Sequence, residues 1–287
     1  MASKWNYLPH STDEQPLETE LALRYANCRP ISELLAQRGI FSLEEADKFF
    51  HPSLKDMHDP FLMPDMDKAV DRLNKAMGLK EKILVYGDYD VDGTTAVALV
   101  YKYLQNFYSN IDFYIPTRYD EGYGISTRCI DEAAQDGVKL IIILDCGIKA
   151  IDEIKYAKTK GIDFIICDHH VPDDELPPAV AILNPKLENN TYPCPHLSGC
   201  GVGYKFMQAF NISNGISNTT LEDMLDLVAV SIAADIVPMV DENRIMTYHG
   251  LKRLNTNPNM GLRAIIKICQ LTGKEITISD VIFKIGP

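Results

Sequence analysis

The chain has no run approaching the roughly 18 consecutive apolar residues that a membrane span needs. Its opening, MASKWNYLPHSTDEQP, holds no apolar core of the signal-peptide kind. There is no CxxC pair, and the seven cysteines are scattered, some beside apolar strand-like runs (Cys146, Cys167). That excludes a disulfide framework and predicts reduced thiols in a soluble, cytoplasmic protein. Low-complexity tracts and sustained heptads are absent as well. Basic charge is scarce: 28 Lys and Arg against 40 Asp and Glu leave a net charge of −12. Non-specific coating of duplex nucleic acid is thereby excluded. A metal-dependent nuclease is not, because acidic ligands count against the sum and bound cations offset them.

What is present is an ordinary globular composition, 46% hydrophobic and 24% charged over 287 residues. That length suits one large domain or two small ones. Residues 1–80 read as a helical preface, with N-cap candidates Ser11 or Thr12 and Ser42 ahead of acidic first turns. Met66, Val70, Leu73 and Met77 recur at helical spacing. From Glu81 the texture changes. KILVY, IDFYIP, KLIIILD, DFIICD and AVAILNP are short apolar runs, with helix candidates between most of them. Such alternation predicts an α/β fold, a parallel sheet flanked by helices over residues 81–240. Helices return after about residue 200, and residues 241–287 form a helical C-terminal segment. The stop at Gly286-Pro287, straight after an apolar run, predicts a cut piece of a longer protein.

Ligands of parallel sheets bind beyond the carboxyl ends of the strands. Those exits read Gly87-Asp88-Tyr89-Asp90-Val91-Asp92-Gly93, Asp145-Cys146-Gly147 and Asp168-His169-His170, and a later helix ends in Ala234-Asp235. Carboxylates meeting in one cleft repel and take up protons unless a cation holds them. Oxygen donors with an imidazole suit Mn²⁺ or Mg²⁺. An EF-hand loop starting at Asp88 would need a glutamate at its twelfth position, where Leu99 stands, and a helix before it. Cys194, His196 and Cys200 match no standard zinc spacing. Of His169 and His170, one is expected on a metal and the other against substrate.

GDYDVDGTT, RYDEGYGIS, LDCGI, CDHH, LNPK, LSGCGVGYKF and AADIVPM occur in this order. The series resembles the motifs of the DHH phosphoesterase superfamily, and within it the RecJ family of bacterial single-strand-specific DNA exonucleases. The resemblance covers nearly the whole chain. It implies a two-metal phosphodiesterase acting 5′ to 3′ on single-stranded DNA in repair and recombination, possessing a second, DHHA1-type domain beyond residue 287. A piece without that domain is expected to have weak activity alone. The resemblance places Asp88, Asp90, Asp92, Asp145, His169 and Asp235 on two Mn²⁺ or Mg²⁺ ions, with Asp145 as the bridge. Asp145, His169 and His170 would be catalytic, His170 lying beside the scissile phosphate. Asp168 would sit behind the ligands, holding an imidazole tautomer. Single-strand-binding protein and a helicase are the partners the family suggests.

Four further residues are candidates for the strand. Arg118 could pair with a phosphate or form a surface salt bridge. Tyr123 could stack on a base or pack a turn. Gly201, in the glycine-rich start of a helix, could seat a phosphate or permit close packing. Lys205, like Lys186, could line the strand path. Two other readings stay open. Many small-substrate members of the superfamily carry a histidine where this chain has Tyr86, and Asp88 is present instead, which favours the exonuclease. A non-catalytic DNA-binding or scaffold relative typically loses metal ligands, whereas every candidate is kept here.

Overall fold

The computed structural model describes residues 29–119, 122 and 124–287; the helix start expected at Ser11 or Thr12 and the side chain of Tyr123 lie outside them. Contacts divide the chain into two compact units, Met1–Asp56 and Met57–Pro287. The first holds α1 (Arg29–Ala36) and α2 (Leu43–Phe50). Ser42 caps α2 as expected. Its hydroxyl accepts from the Glu45 amide, and the Glu45 carboxylate accepts from the Ser42 amide. Such a box satisfies two orphan donors and contributes about 1 kcal/mol. Leu35 and Ala46 form a small core with Phe49 and Phe50 beside it.

The second unit begins with α3 (Met66–Gly78), which buries Met66, Ala69, Val70 and Leu73 along one face. Next come β1 (Lys82–Gly87), α4 (Val91–Leu104), β2 (Ile111–Tyr114), α5 (Thr127–Gln135), β3 (Val138–Leu144), α6 (Ile151–Thr159), β4 (Asp163–Cys167) and β5 (Ala181–Leu183). After them lie α7 (Gly199–Asn214), α8 (Leu225–Ala234), α9 (Asp241–Thr256) and α10 (Met260–Ile268). A short π-helical turn, Val281–Ile285, packs on α8. The five strands are all parallel, in the order β2-β1-β3-β4-β5.

The α/β sheet read from the sequence is therefore the fold. Strand residues alternate between faces. Leu84, Tyr86, Ile141, Ile143, Phe164 and Ile166 share one core with Cys129 and Ile130 of α5 and Ile154 and Ala157 of α6. The alternate set, including Ile83, Val85, Ile142 and Ile165, is equally buried, on the face where α4 and α7 pack. Two buried faces explain why these strands appear as continuous apolar runs.

The register positions the chemistry. Gly87 pairs with Leu144, and Leu144 with Cys167. The next residue on each strand is Asp88, Asp145 and Asp168, so three carboxylates leave the sheet side by side. Among the described residues no helix is long and apolar enough to cross a membrane.

Candidate metal centre

Between β1 and α4 the chain turns within three residues. Asp90 caps α4, its carboxylate accepting from the Gly93 amide at 2.9 Å. A Cβ on Gly93 would lie 2.4 Å from the Asp88 carbonyl oxygen, so only glycine lets the helix start so close to the strand exit. Asp92, in the first turn of α4, is buried. Its carboxylate accepts from the amides of Gly199 (2.7 Å) and Cys200 (2.8 Å) and from the Ser231 hydroxyl (2.7 Å).

Asp145 leaves β3 with φ 59°, an uncommon backbone state for a non-glycine residue. It is buried, and its Oδ1 accepts no hydrogen bond. His169 is buried too, and neither ring nitrogen has a hydrogen-bond partner. Its Nε2 lies 3.2 Å from Asp145 Oδ1, 3.6 Å from Asp92 Oδ2 and 3.6 Å from Asp235 Oδ2. Asp235 reaches the site from the C-terminal end of α8. Two ligand groups result, Asp145–His169–His170 and Asp92–His169–Asp235, each with donor atoms within 4.8 Å of one another. His169 is common to both groups. Asp88 lies at the edge with a buried Oδ1 that has no partner. The Asp90 carboxyl comes within hydrogen-bonding reach of Asp145.

The electrostatics call for a cation. Burial, followed by the negative charges of Asp92, Asp90 and Asp168, pushes Asp145 up to about 12. Burial also raises Asp235 and Asp88, with Asp92 adding to the effect on Asp235. Buried polar atoms left without partners cost about 1–3 kcal/mol each, more when charged. A divalent ion would satisfy the orphaned Asp145, Asp88 and His169 atoms together. Oxygen donors with one imidazole fit Mn²⁺ or Mg²⁺ best.

Asp168 behaves differently. Burial works to raise it, but the His170 imidazole and the amides of His170 and Ile148 outweigh burial and hold it below its ordinary value. Its Oδ1 lies 2.7 Å from His170 Nδ1 and also accepts from the His169 amide, while Oδ2 accepts from the Ile148 amide. That bond fixes the His170 ring and raises its affinity for a proton.

The strand-contact candidates divide. The Arg118 guanidinium lies 5.6 Å from the centre of the Tyr89 ring, and Tyr89 stands between Asp88 and Asp90. Lys186 is exposed and close enough to His170 to act on its charge. Gly201 requires a correction. Its amide donates to Ser198, and the amides ahead of it hold Asp92. The N-terminus of α7 does bind an anion, but the anion belongs to the protein.

Lys205 requires one too. Its ammonium is fully buried and donates to Glu242 (2.9 Å) and the His58 carbonyl (2.7 Å), so it does not line a strand path. Burial lowers its pKa, opposed by Glu242. Removing one partner of a buried pair leaves an uncompensated charge. Lys205→Met should therefore lose about 3–5 kcal/mol in a urea titration.

Two contributors, Ser198 and Ser231, escaped the sequence reading, and a third, Gly199, lies in the glycine-rich turn it singled out. Ser198 and Ser231 share a 2.6 Å hydrogen bond beside Asp92. Gly199 leaves room for Asp145: an added Cβ would lie 2.6 Å from both Cβ and Oδ1 of that residue. Of the two readings of that turn, phosphate seat or close packing, the structure shows close packing at Gly199. Nothing marks Ser231 within the apolar helix LDLVAVSIAA.

The chain is similar to several known proteins. Residues 82–232 match the DHH family, N-terminal domain. The chain is 39% identical over 257 residues to the single-stranded-DNA-specific exonuclease RecJ of Bacillus subtilis (strain 168), covering 90% of this chain and 32% of that protein. A crystal structure of exonuclease RecJ bound to manganese superposes with TM-score 0.71 at 28% identity, covering 78% of this chain and 56% of the other. RecJ from Thermus thermophilus in complex with Mn²⁺ shares the fold at TM-score 0.79 and 24% identity, over 98% of this chain and 38% of its own. The chain thus spans between a third and somewhat over half of these relatives. With the matched segment running from β1 into α8 and enclosing nearly all of the acid and histidine cluster, the chain belongs to the DHH family.

Proposed function

We propose that this chain carries the metal-binding part of a single-strand-specific DNA exonuclease. The observation that carries the reading is the convergence of Asp92, Asp145 and Asp235 around His169, with the buried atoms of Asp145 and His169 unsatisfied. Asp88 and Asp90 complete the ligand set. Bound there, two Mn²⁺ or Mg²⁺ ions would supply a nucleophile from water near neutral pH and offset charge building on the phosphate. The protein's own part is positional. Asp168 orients His170 toward the substrate phosphate, and Arg118 stands over Tyr89 to meet the approaching backbone. The relatives named single-stranded-DNA-specific exonuclease support single-stranded DNA as substrate, and the motif resemblance adds 5′ to 3′ polarity and a role in repair and recombination. The motif resemblance also adds a cytoplasmic setting, with single-strand-binding protein and a helicase as partners.

The test is degradation of 5′-labelled and 3′-labelled single strands, the matching duplex, pyrophosphate and a dinucleotide, with and without Mn²⁺. Mn²⁺-dependent loss of the single strand alone, starting from the 5′ end, is expected. Cleavage confined to pyrophosphate or the dinucleotide would move the protein to the small-substrate class. No cleavage, with single-strand binding that persists in chelator, would make it a binding module.

A further inference from the structure

A cavity of about 420 Å³ is lined in part by Asp168 and His170, beside the carboxylate cluster. Its walls come from the β3 exit, the start of α6 and the segment before α5. His170 and Asp168 form the partition shared with the metal centre. The size falls within the roughly 300–1,000 Å³ range of small-molecule sites. Ile125, Ile148 and Ala150 give it an apolar lining. Its rim is held in place, because the Tyr86 hydroxyl donates to the Gly124 carbonyl at 2.7 Å and the Tyr86 ring stacks on Tyr114.

The charges tell which part of a nucleotide fits. Lys149 is the one lysine or arginine lining the cavity among the described residues, and Asp173 pairs with it at 3.0 Å. Asp168 is enclosed by amides and by His170. Glu153 adds a further carboxylate. Away from His170, the side chains here are apolar, acidic or, in Lys149, already paired, and draw no phosphate. An uncharged aromatic ring with hydrogen-bonding edges suits an apolar lining that ends in one carboxylate and one ammonium.

We propose that this cavity is a nucleoside subsite: it takes the base and sugar next to the scissile phosphate, while the phosphate stays on the metal side of His170. This rests on the phosphodiesterase reading above. It adds that the terminal nucleoside is held by the DHH unit itself, so that part of substrate positioning is built into this chain.

The test titrates the Mg²⁺-loaded protein calorimetrically with thymidine 3′-monophosphate, in which the phosphate sits on the oxygen that joins a 5′-terminal nucleoside to the scissile phosphate, and with thymidine and inorganic phosphate. The nucleotide should bind at least about tenfold more tightly than phosphate, a difference of about 1.4 kcal/mol. Ala150→Phe and Glu153→Trp both narrow the cavity and touch no proposed metal ligand. Each should abolish that advantage and leave phosphate affinity and the Mg²⁺-induced rise in Tm unchanged. If Ala150→Phe does not fold, Glu153→Trp on the helix surface carries the test. Equal affinity for nucleotide and phosphate in the parent protein, or an advantage that survives Glu153→Trp, would overturn the subsite. A nucleotide advantage that the variants abolish, in a protein without metal-dependent hydrolysis, would sink the nuclease reading and leave the subsite standing.

Discussion

Asp145→Asn should abolish Mn²⁺-dependent hydrolysis and at the same time make the metal-free protein more stable at pH 8. The two effects share one cause. Asp145 is buried among Asp92, Asp90 and Asp168, which hold its pKa far above that of an unfolded aspartate. A carboxyl raised in this way binds its proton more tightly in the folded chain. Its penalty is therefore absent below the unfolded pKa near 4 and grows as pH rises toward the folded value of about 12. Metal-free protein should lose stability between pH 5 and pH 8 at up to about 1.4 kcal/mol per pH unit. Asparagine carries no proton to lose, so the variant should show a flatter profile. Mn²⁺ should stabilise the parent most at the high-pH end, because only deprotonated ligands bind it. Melting curves across pH, with Mn²⁺ or with chelator, give both profiles. Loss of a ligand for the catalytic ions should cost about a thousandfold or more in rate, equivalent to about 4 kcal/mol of barrier. A variant that hydrolyses DNA normally, or whose metal-free profile runs parallel to the parent's, would show that Asp145 has no such role.

Gly199→Ala should cripple the centre without removing any ligand. The added methyl would lie 2.6 Å from Asp145 Cβ and Oδ1, too close for either to stay. Either Asp145 rotates away from His169, or α7 retreats and loosens its hold on Asp92. Overpacking of this kind costs about 1–3 kcal/mol. The loss of Mn²⁺ affinity should exceed tenfold, since a displacement of even about 1 Å ruins ligand geometry. Gly201→Ala is the control. Its methyl would meet the Ser198 hydroxyl at 3.3 Å, a contact that small shifts accommodate. Parallel Mn²⁺ titrations followed by Tm separate the two. Equal behaviour would mean that α7 does not brace the centre.

Much of this was legible in the sequence. Runs such as KLIIIL show strands buried on both faces, and parallel strands place their next residues at one edge. Asp88, Asp145 and Asp168 could therefore be grouped before any coordinates were known. The misreadings have a common physical origin. A lysine in sequence carries no sign of its burial, and the partner of Lys205 stands 37 residues away at Glu242. The glycine-rich start of α7 correctly signalled an anion. Its source could not be read, because Asp92 arrives from 107 residues upstream. Ser231 sits in a helix whose composition speaks only of burial. Local pattern reveals elements and their ends; pairings made across the chain appear only once the sheet brings them together.

Those long-range pairings bear on how the molecule comes apart. Asp92 is bonded to Gly199, Cys200 and Ser231 across separations of 107, 108 and 139 residues. Contacts that close such large loops tend to form late, after the local helices and the nearest strand pairs. Interactions absent from the transition state slow escape from the native basin and do little to the speed of entry. Metal bound across Asp92, His169 and Asp235 would act as a latch on the finished molecule, lengthening its lifetime far more than it hastens assembly.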